Sequence, residues 1–165
     1  MTVPVVEELM SAPVLSVSPA MLAADALDLA RQHRLHHLPV VERGNAIGVV
    51  CTCDLELAQT SATVSASMHC PPASIWPKTS GAEALEVMNS GRVGSLLVLE
   101  GERLVGILTR RDLQTSGIPM HDDPRGYCSC CGGIAHLRPH VTGALCSECL
   151  ARSQPGASLD HGGGD

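Results

Sequence analysis

The sequence predicts an α+β fold made of two copies of one βαββα unit, followed by a small four-cysteine zinc ribbon, in a chain of 165 residues. Two observations carry this expectation. Sliding the chain against itself by 58 positions aligns residues 10–55 with 68–113 over 46 positions without a gap. The identities include Met10/Met68, Pro13/Pro71, Ser16/Ser74, Pro19/Pro77, Ala26-Leu27/Ala84-Leu85, Val40/Val98, Glu42/Glu100, Gly48/Gly106 and Asp54-Leu55/Asp112-Leu113. Register kept at both ends and in the middle means duplication of one supersecondary unit. In addition, five of the eight cysteines crowd into residues 128–149, a spacing suited to a metal.

Each copy opens with a short extended piece, residues 14–17 and 72–76. A helix over 20–33 follows, because Leu22, Ala26, Leu29 and Ala30 recur at helical spacing; Ala82, Leu85 and Met88 repeat that stripe in the second copy. Next come two apolar runs, 38–41 and 47–50, matched by 96–99 and 104–108. They flank Arg43-Gly44-Asn45 and Gly101-Glu102, which reads as strand, turn, strand. Residues 106–112 then pass from strand into a second helix, with Thr109 as N-cap and Asp112 three positions on. The expected organisation is repeat 1 over 1–60, repeat 2 over 61–120, a zinc-binding module over 121–152 and a disordered tail over 153–165.

Composition narrows the function. Eleven Lys and Arg against 17 Asp and Glu give a formal charge of −6, which opposes non-specific binding to nucleic acid or an anionic membrane. Trp76 and Tyr127 are the only aromatic residues, so a base-stacking platform is excluded and the core must be aliphatic. There is no apolar run of membrane-spanning length, and the acidic start lacks the basic end of a signal peptide, so the expectation is a cytoplasmic protein. No Walker loop, Ser/His/Asp order or paired-carboxylate pattern stands out, and an enzyme is not expected.

The repeated pattern resembles a tandem pair of cystathionine β-synthase (CBS) domains, the Bateman module, over about residues 5–115. The resemblance rests on the Met-x-x-Pro openings at Met10 and Met68, on Leu38-Pro39-Val40-Val41, and on the closing segments 48–54 and 106–112. It implies a pseudo-twofold unit with two clefts, homodimerisation, and binding of an adenosine-containing ligand such as AMP, ADP or ATP. By the same resemblance, the Asp of Thr-x-x-Asp accepts the ribose hydroxyls while the Thr and the helix it caps meet phosphate. A carboxylate is an acceptor suited to a vicinal diol.

Repeat 2 carries the full set, Thr109 and Asp112, with Arg110 and Arg111 alongside for phosphate. Repeat 1 keeps Asp54 but has Cys51 in place of Thr, which weakens capping and phosphate contact. Leu35-His36-His37-Leu38-Pro39-Val40 is similar to a segment of AMP-activated protein kinase γ subunits whose basic pair serves the neighbouring repeat. On that basis His36 and His37 would serve the Asp112 cleft. The adenine slot would fall on Ile75 and Val98 for that cleft, and on Val17 and Val40 for the Asp54 cleft. The bland alternatives are a plain capping box, polar residues entering a strand, and ordinary core positions.

In the C-terminal region Cys128-x2-Cys131 and Cys146-x2-Cys149 form two knuckles with 14 residues between them, a pattern that grips one tetrahedral Zn²⁺. Cys130, His136 and His140 are alternative ligands. The segment 126–152 resembles the zinc finger of the DksA/TraR family, without that family's coiled coil. The combined expectation is a regulatory protein sensing an adenosine-type ligand, its zinc ribbon stabilising the chain or engaging a protein partner. The alternative is a ligand-free dimerisation scaffold whose ribbon binds proteins or senses redox state.

Overall fold

A computed structural model describes residues 3–120 in full and the backbone of 137–140 and 143–146. Helix α1 (Val6–Leu9) is followed by α2 (Ala23–Gln32), β1 (His37–Glu42), β2 (Asn45–Cys51) and α3 (Thr52–Leu57). A 3-10 turn (Val64–Ala66) leads into β3 (Ser74–Ile75), α4 (Gly81–Gly91), β4 (Ser95–Glu100), β5 (Arg103–Thr109) and α5 (Arg110–Thr115). A separate antiparallel hairpin pairs β6 (Leu137–His140) with β7 (Gly143–Cys146).

The duplication survives in three dimensions. In repeat 2, β3 runs parallel to β4, and β4 pairs antiparallel with β5. In repeat 1 the parallel partner is reduced to a single bridge from Val17 to Val40, beside the antiparallel β1–β2 pair. The bulge at Val40/Val41 recurs at Val98/Leu99, the same point of the repeat.

Both long helices end earlier than, or differently from, what the apolar stripe alone predicts. The helix expected over 20–33 spans Ala23–Gln32: Leu22 is extended as its N-cap, and a left-handed residue follows its C-cap. Arg34 and Arg92, 58 positions apart, both have positive φ, 55° and 53°. The amides of Leu35 and Val93 then reach back to the carbonyls of Ala30 and Met88, closing the last turn. Arginine occupies a position where glycine is the usual choice, at some conformational cost. In the hairpin of repeat 1, Arg43 and Gly44 both take positive φ, as a tight two-residue turn between twisted strands requires.

The opening segments are exchanged between the repeats. Val6 of α1 is fully buried in the core of repeat 2, with Leu85, Met88, Leu96, Val98, Leu108 and Leu113. Val64 of the 3-10 turn is likewise buried in the core of repeat 1, with Ala26, Ala30, Leu38, Val40 and Val50. Ser11 pairs with Ile107, and His69 with Val49, so each opener adds an edge to the other repeat's sheet. Burying an aliphatic side chain of this size contributes about 1.5–3 kcal/mol, so each core depends on the other copy's opener. Strands β2 and β5 lie against each other between the two cores.

Candidate functional site

Two strand-to-helix junctions carry the predicted Thr/Cys-x-x-Asp segments, and they are built differently. At the start of α5, Asp112 Oδ2 accepts from the Thr109 amide at 2.7 Å and from the Thr109 hydroxyl at 2.7 Å. Thr109 Oγ1 accepts in turn from the Asp112 amide at 3.3 Å, completing a reciprocal capping box. Asp112 is thereby fixed within its own helix and stays half-buried, with Oδ1 outside the box.

At the start of α3 the cap is sulfur. Cys51 Sγ accepts from the Cys53 amide at 3.2 Å, and no box forms with Asp54. Instead Asp54 Oδ2 meets His69 Nε2 at 2.8 Å, a partner supplied by the opener of repeat 2. The Cys53 side chain's hydrogen bond, burial, and the nearby Cys53 and Asp54 charges hold the Cys51 thiol far above its ordinary range, so it stays neutral. Cys51, Cys53 and Cys70 are thiols rather than disulfides.

Asp54 borders a cavity of about 720 Å³ between the repeats. Repeat 1 contributes His37, Val49, Cys51, Cys53 and Asp54; repeat 2 contributes His69, Pro71–Ala73 and Gly91–Ser95. Its apolar wall is Val49, Pro71, Pro72, Ala73 and Val93, and it is also lined by the Arg92 guanidinium and the imidazoles of His37 and His69. The volume suits a nucleoside-sized ligand.

Several expected site residues sit elsewhere. Ile75 and Val98 are 7% and 0% exposed and belong to the core of repeat 2; Val17 and Val40, at 3% and 0%, belong to that of repeat 1. These positions face inward because β3, and the bridge at Val17, lie beside the first hairpin strand of their own copy. Part of the apolar wall of the Asp54 cavity, Pro71, Pro72 and Ala73, comes from the exchanged opener. Arg110, expected beside phosphate, is buried, and its Nη1 donates to Asn89 Oδ1 of α4 at 2.8 Å. Arg111 is exposed and Asp54 half-buried. His36 is exposed, whereas His37 borders the Asp54 cavity. Sequence reasoning missed His69, Pro72, Ala73 and Val93; the repeat offset could have found them had the openers been assigned to the opposite copy.

Cys128, Cys131 and Cys149, with Cys130 and His136, lie outside the described residues. The β6–β7 hairpin falls between the two knuckles, with the backbone of Cys146 paired to Leu137 and that of His140 to Gly143. Among the described residues, no group of three or more His, Cys, Asp or Glu is placed to hold a metal ion. No helix among them is long and apolar enough to cross a membrane.

Comparison with known proteins agrees with this architecture. The CBS domain family matches twice, over residues 6–59 and 63–116. The chain belongs to the CBS domain family, as a tandem pair with a mixed α+β fold. A CBS domain-containing protein of Bacillus subtilis, YhcV, is 39% identical over 56 residues, 34% of this chain and 40% of its own length. Inosine-5'-monophosphate dehydrogenase of Korarchaeum cryptofilum is 29% identical over 102 residues, 61% of this chain and 21% of the relative. The chain thus spans less than half the length of either curated relative.

Among solved structures, AcuB from Vibrio cholerae superposes with a TM-score of 0.64 at 26% identity, covering 71% of this chain and 92% of that one. The CBS domain pair of protein MJ0100, solved with 5-methylthioadenosine and S-adenosyl-L-methionine, gives 0.66 at 21% identity, covering 70% and 97%. CBSX2 in complex with AMP gives 0.61 at 22% identity, covering 69% and 96%.

Proposed function

We propose that this chain is a regulatory, non-catalytic CBS pair that senses an adenosine-containing ligand in the clefts between its repeats. One observation carries the reading: a nucleoside-sized cavity lies between the two repeats with a helix-start carboxylate, Asp54, on its wall and the Arg92 guanidinium beside it. Asp54 and its repeat partner Asp112 would each take the ribose diol, since a carboxylate offers two acceptor oxygens. At the second cleft Thr109 holds Asp112 in place, and the repeat relation favours phosphate contacts from the opposite copy. Gly94 and Ser95 border the Asp54 cavity, and their equivalents 58 positions earlier are His36 and His37. Arg92 borders it too, and its equivalent is Arg34. Arg34 and His36 are therefore the phosphate partners proposed for the Asp112 cleft from the opposite copy, with Arg111 from its own helix start, while His37 lines the Asp54 cavity.

That solved CBS pairs of the same fold hold AMP, or S-adenosyl-L-methionine and 5-methylthioadenosine, supports the ligand class. The binding surfaces take material from both copies, so ligand shifts the arrangement of the repeats only by its differential affinity for the two arrangements. Isothermal titration of the full chain with AMP, ADP, ATP, NAD and S-adenosylmethionine, against Asp112→Ala and Asp54→Ala, tests this reading. Loss of binding in either variant supports it, and absence of binding to all five compounds defeats it.

The C-terminal part of the proposal is a zinc ribbon over 121–152 held by Cys128, Cys131, Cys146 and Cys149, in a cytoplasmic homodimer that engages a protein partner. The hairpin between the two knuckles supports it, since two such knuckles flanking strands can share one tetrahedral ion. A second reading, a ligand-free scaffold with a redox-sensing or protein-binding ribbon, draws on Cys51, whose sulfur caps α3 where repeat 2 has a hydroxyl.

A further inference from the structure

The two clefts differ most in what holds the diol-binding carboxylate. Asp112 is clamped inside its own helix by Thr109. Asp54 lacks that clamp, because a cysteine sulfur caps α3, and its Oδ2 is taken by His69 Nε2 at 2.8 Å. A carboxylate only accepts, so the imidazole carries its proton on Nε2. His69 comes from the opener of repeat 2, where its backbone is pinned to Val49 in both directions, at 2.8 and 3.1 Å. Its position is therefore fixed by the sheet edge rather than by the carboxylate. The equivalent residue at the other cleft is Ser11, which pairs with Ile107 in the same way. Both His69 and Asp54 border the same cavity.

We infer that His69 is an internal competitor for the ribose diol at the Asp54 cleft and a specificity-determining residue of that cleft. The inference rests on the reading of the cavity as an adenosine site. The imidazole N–H takes one acceptor position on Asp54 Oδ2, so it competes with a vicinal diol for that oxygen, and the diol binds best when His69 turns away. The side chain of His69 is 70% exposed, and water can receive it when it leaves. A deoxynucleoside has no diol to compensate for the lost contact and binds without displacing the imidazole. The Asp112 cleft carries no such competitor from its opener.

The test uses the full chain carrying Asp112→Ala, which removes the other diol acceptor, titrated with adenosine and with 2'-deoxyadenosine. Adenosine is uncharged, so attraction of phosphate to Arg92 and His37 plays no part. Replacing His69 with the serine found at the equivalent position keeps the opener's strand pairing. His69→Ser is expected to bind adenosine about three- to tenfold more tightly, the factor a competing hydrogen bond imposes. Affinity for 2'-deoxyadenosine stays within about twofold, so the preference for the ribonucleoside widens. Equal tightening for both nucleosides means that the serine merely makes room, and overturns the inference. Unchanged or weaker adenosine binding overturns it too, while leaving the adenosine reading standing. Binding of neither nucleoside to either form defeats the adenosine reading of this cleft and the inference with it.

Discussion

Met10, at the opening of the first repeat, is seated on Gly106 in the second; a Cβ at Gly106 would collide with the thioether. Met68 takes the same place over Gly48, where a Cβ would come 3.1 Å from its Sδ and 2.9 Å from the His69 carbonyl oxygen. The identical Met and Gly pairs of the duplicated sequence are thus contacts between copies, and they clip each opener to the opposite sheet. That exchange places His69 on Asp54 and Pro72 and Ala73 on the wall of the same cavity.

The clip predicts unequal costs for two equivalent substitutions. Gly106→Ala meets only a flexible methionine side chain, and should destabilise by about 1–2 kcal/mol. Gly48→Ala meets a backbone carbonyl as well, and should cost about 2–3 kcal/mol. Chemical denaturation of the two variants measures the difference, and no loss at either glycine would contradict the exchange geometry.

Capping should also separate the repeats. Thr109→Ala removes the hydroxyl from a reciprocal box and should cost about 1 kcal/mol. Cys51→Thr supplies the hydroxyl that α3 lacks, and should stabilise by about 0.5–1 kcal/mol. Thermal unfolding midpoints moving in opposite directions are the expected result.

Much of this was legible in the sequence, for a physical reason. A gapless 58-residue repeat with period-2 and helical stripes defines the unit, and both hairpins and both terminal helices fall where those stripes place them. The strand-to-helix junctions at Asp54 and Asp112 follow from the same pattern. A repeat does not reveal which copy a segment packs against, because Met10 and Met68 fit either glycine equally well. For that reason the sequence alone does not show His69 beside Asp54; the resemblance places the adenine slot on Ile75 and Val98, whose side chains lie in the core of repeat 2. Arg34 and Arg92 were equally opaque, since no local signal marks an arginine for a left-handed helix end.

Thiol chemistry offers a third check. Cys70 is exposed, Cys53 is 4% exposed, and Cys51 is held neutral by the Cys53 hydrogen bond and by burial. With iodoacetamide at pH 8, peptide mapping should find Cys70 alkylated within minutes and Cys51 and Cys53 protected until the chain unfolds. Rapid modification of Cys51 would mean that the α3 cap is open in solution.

For the C-terminal region, metal analysis of the full chain should find one zinc per chain. Cys128→Ser and Cys149→Ser should each abolish retention through a chelator wash, because structural zinc requires all four ligands. Retention of zinc in either variant would shift the ligand set toward Cys130, His136 or His140.

The central claim is that carboxylates at the two helix starts make the clefts adenosine sites. Calorimetric titration of the full chain with AMP, ADP, ATP, NAD and S-adenosylmethionine, repeated with Asp112→Ala and Asp54→Ala, tests it most directly. Saturable binding of at least one compound, weakened tenfold or more when Asp112 is removed, is the expected result. Binding that is indifferent to both substitutions, or no binding to any of the five, would contradict it.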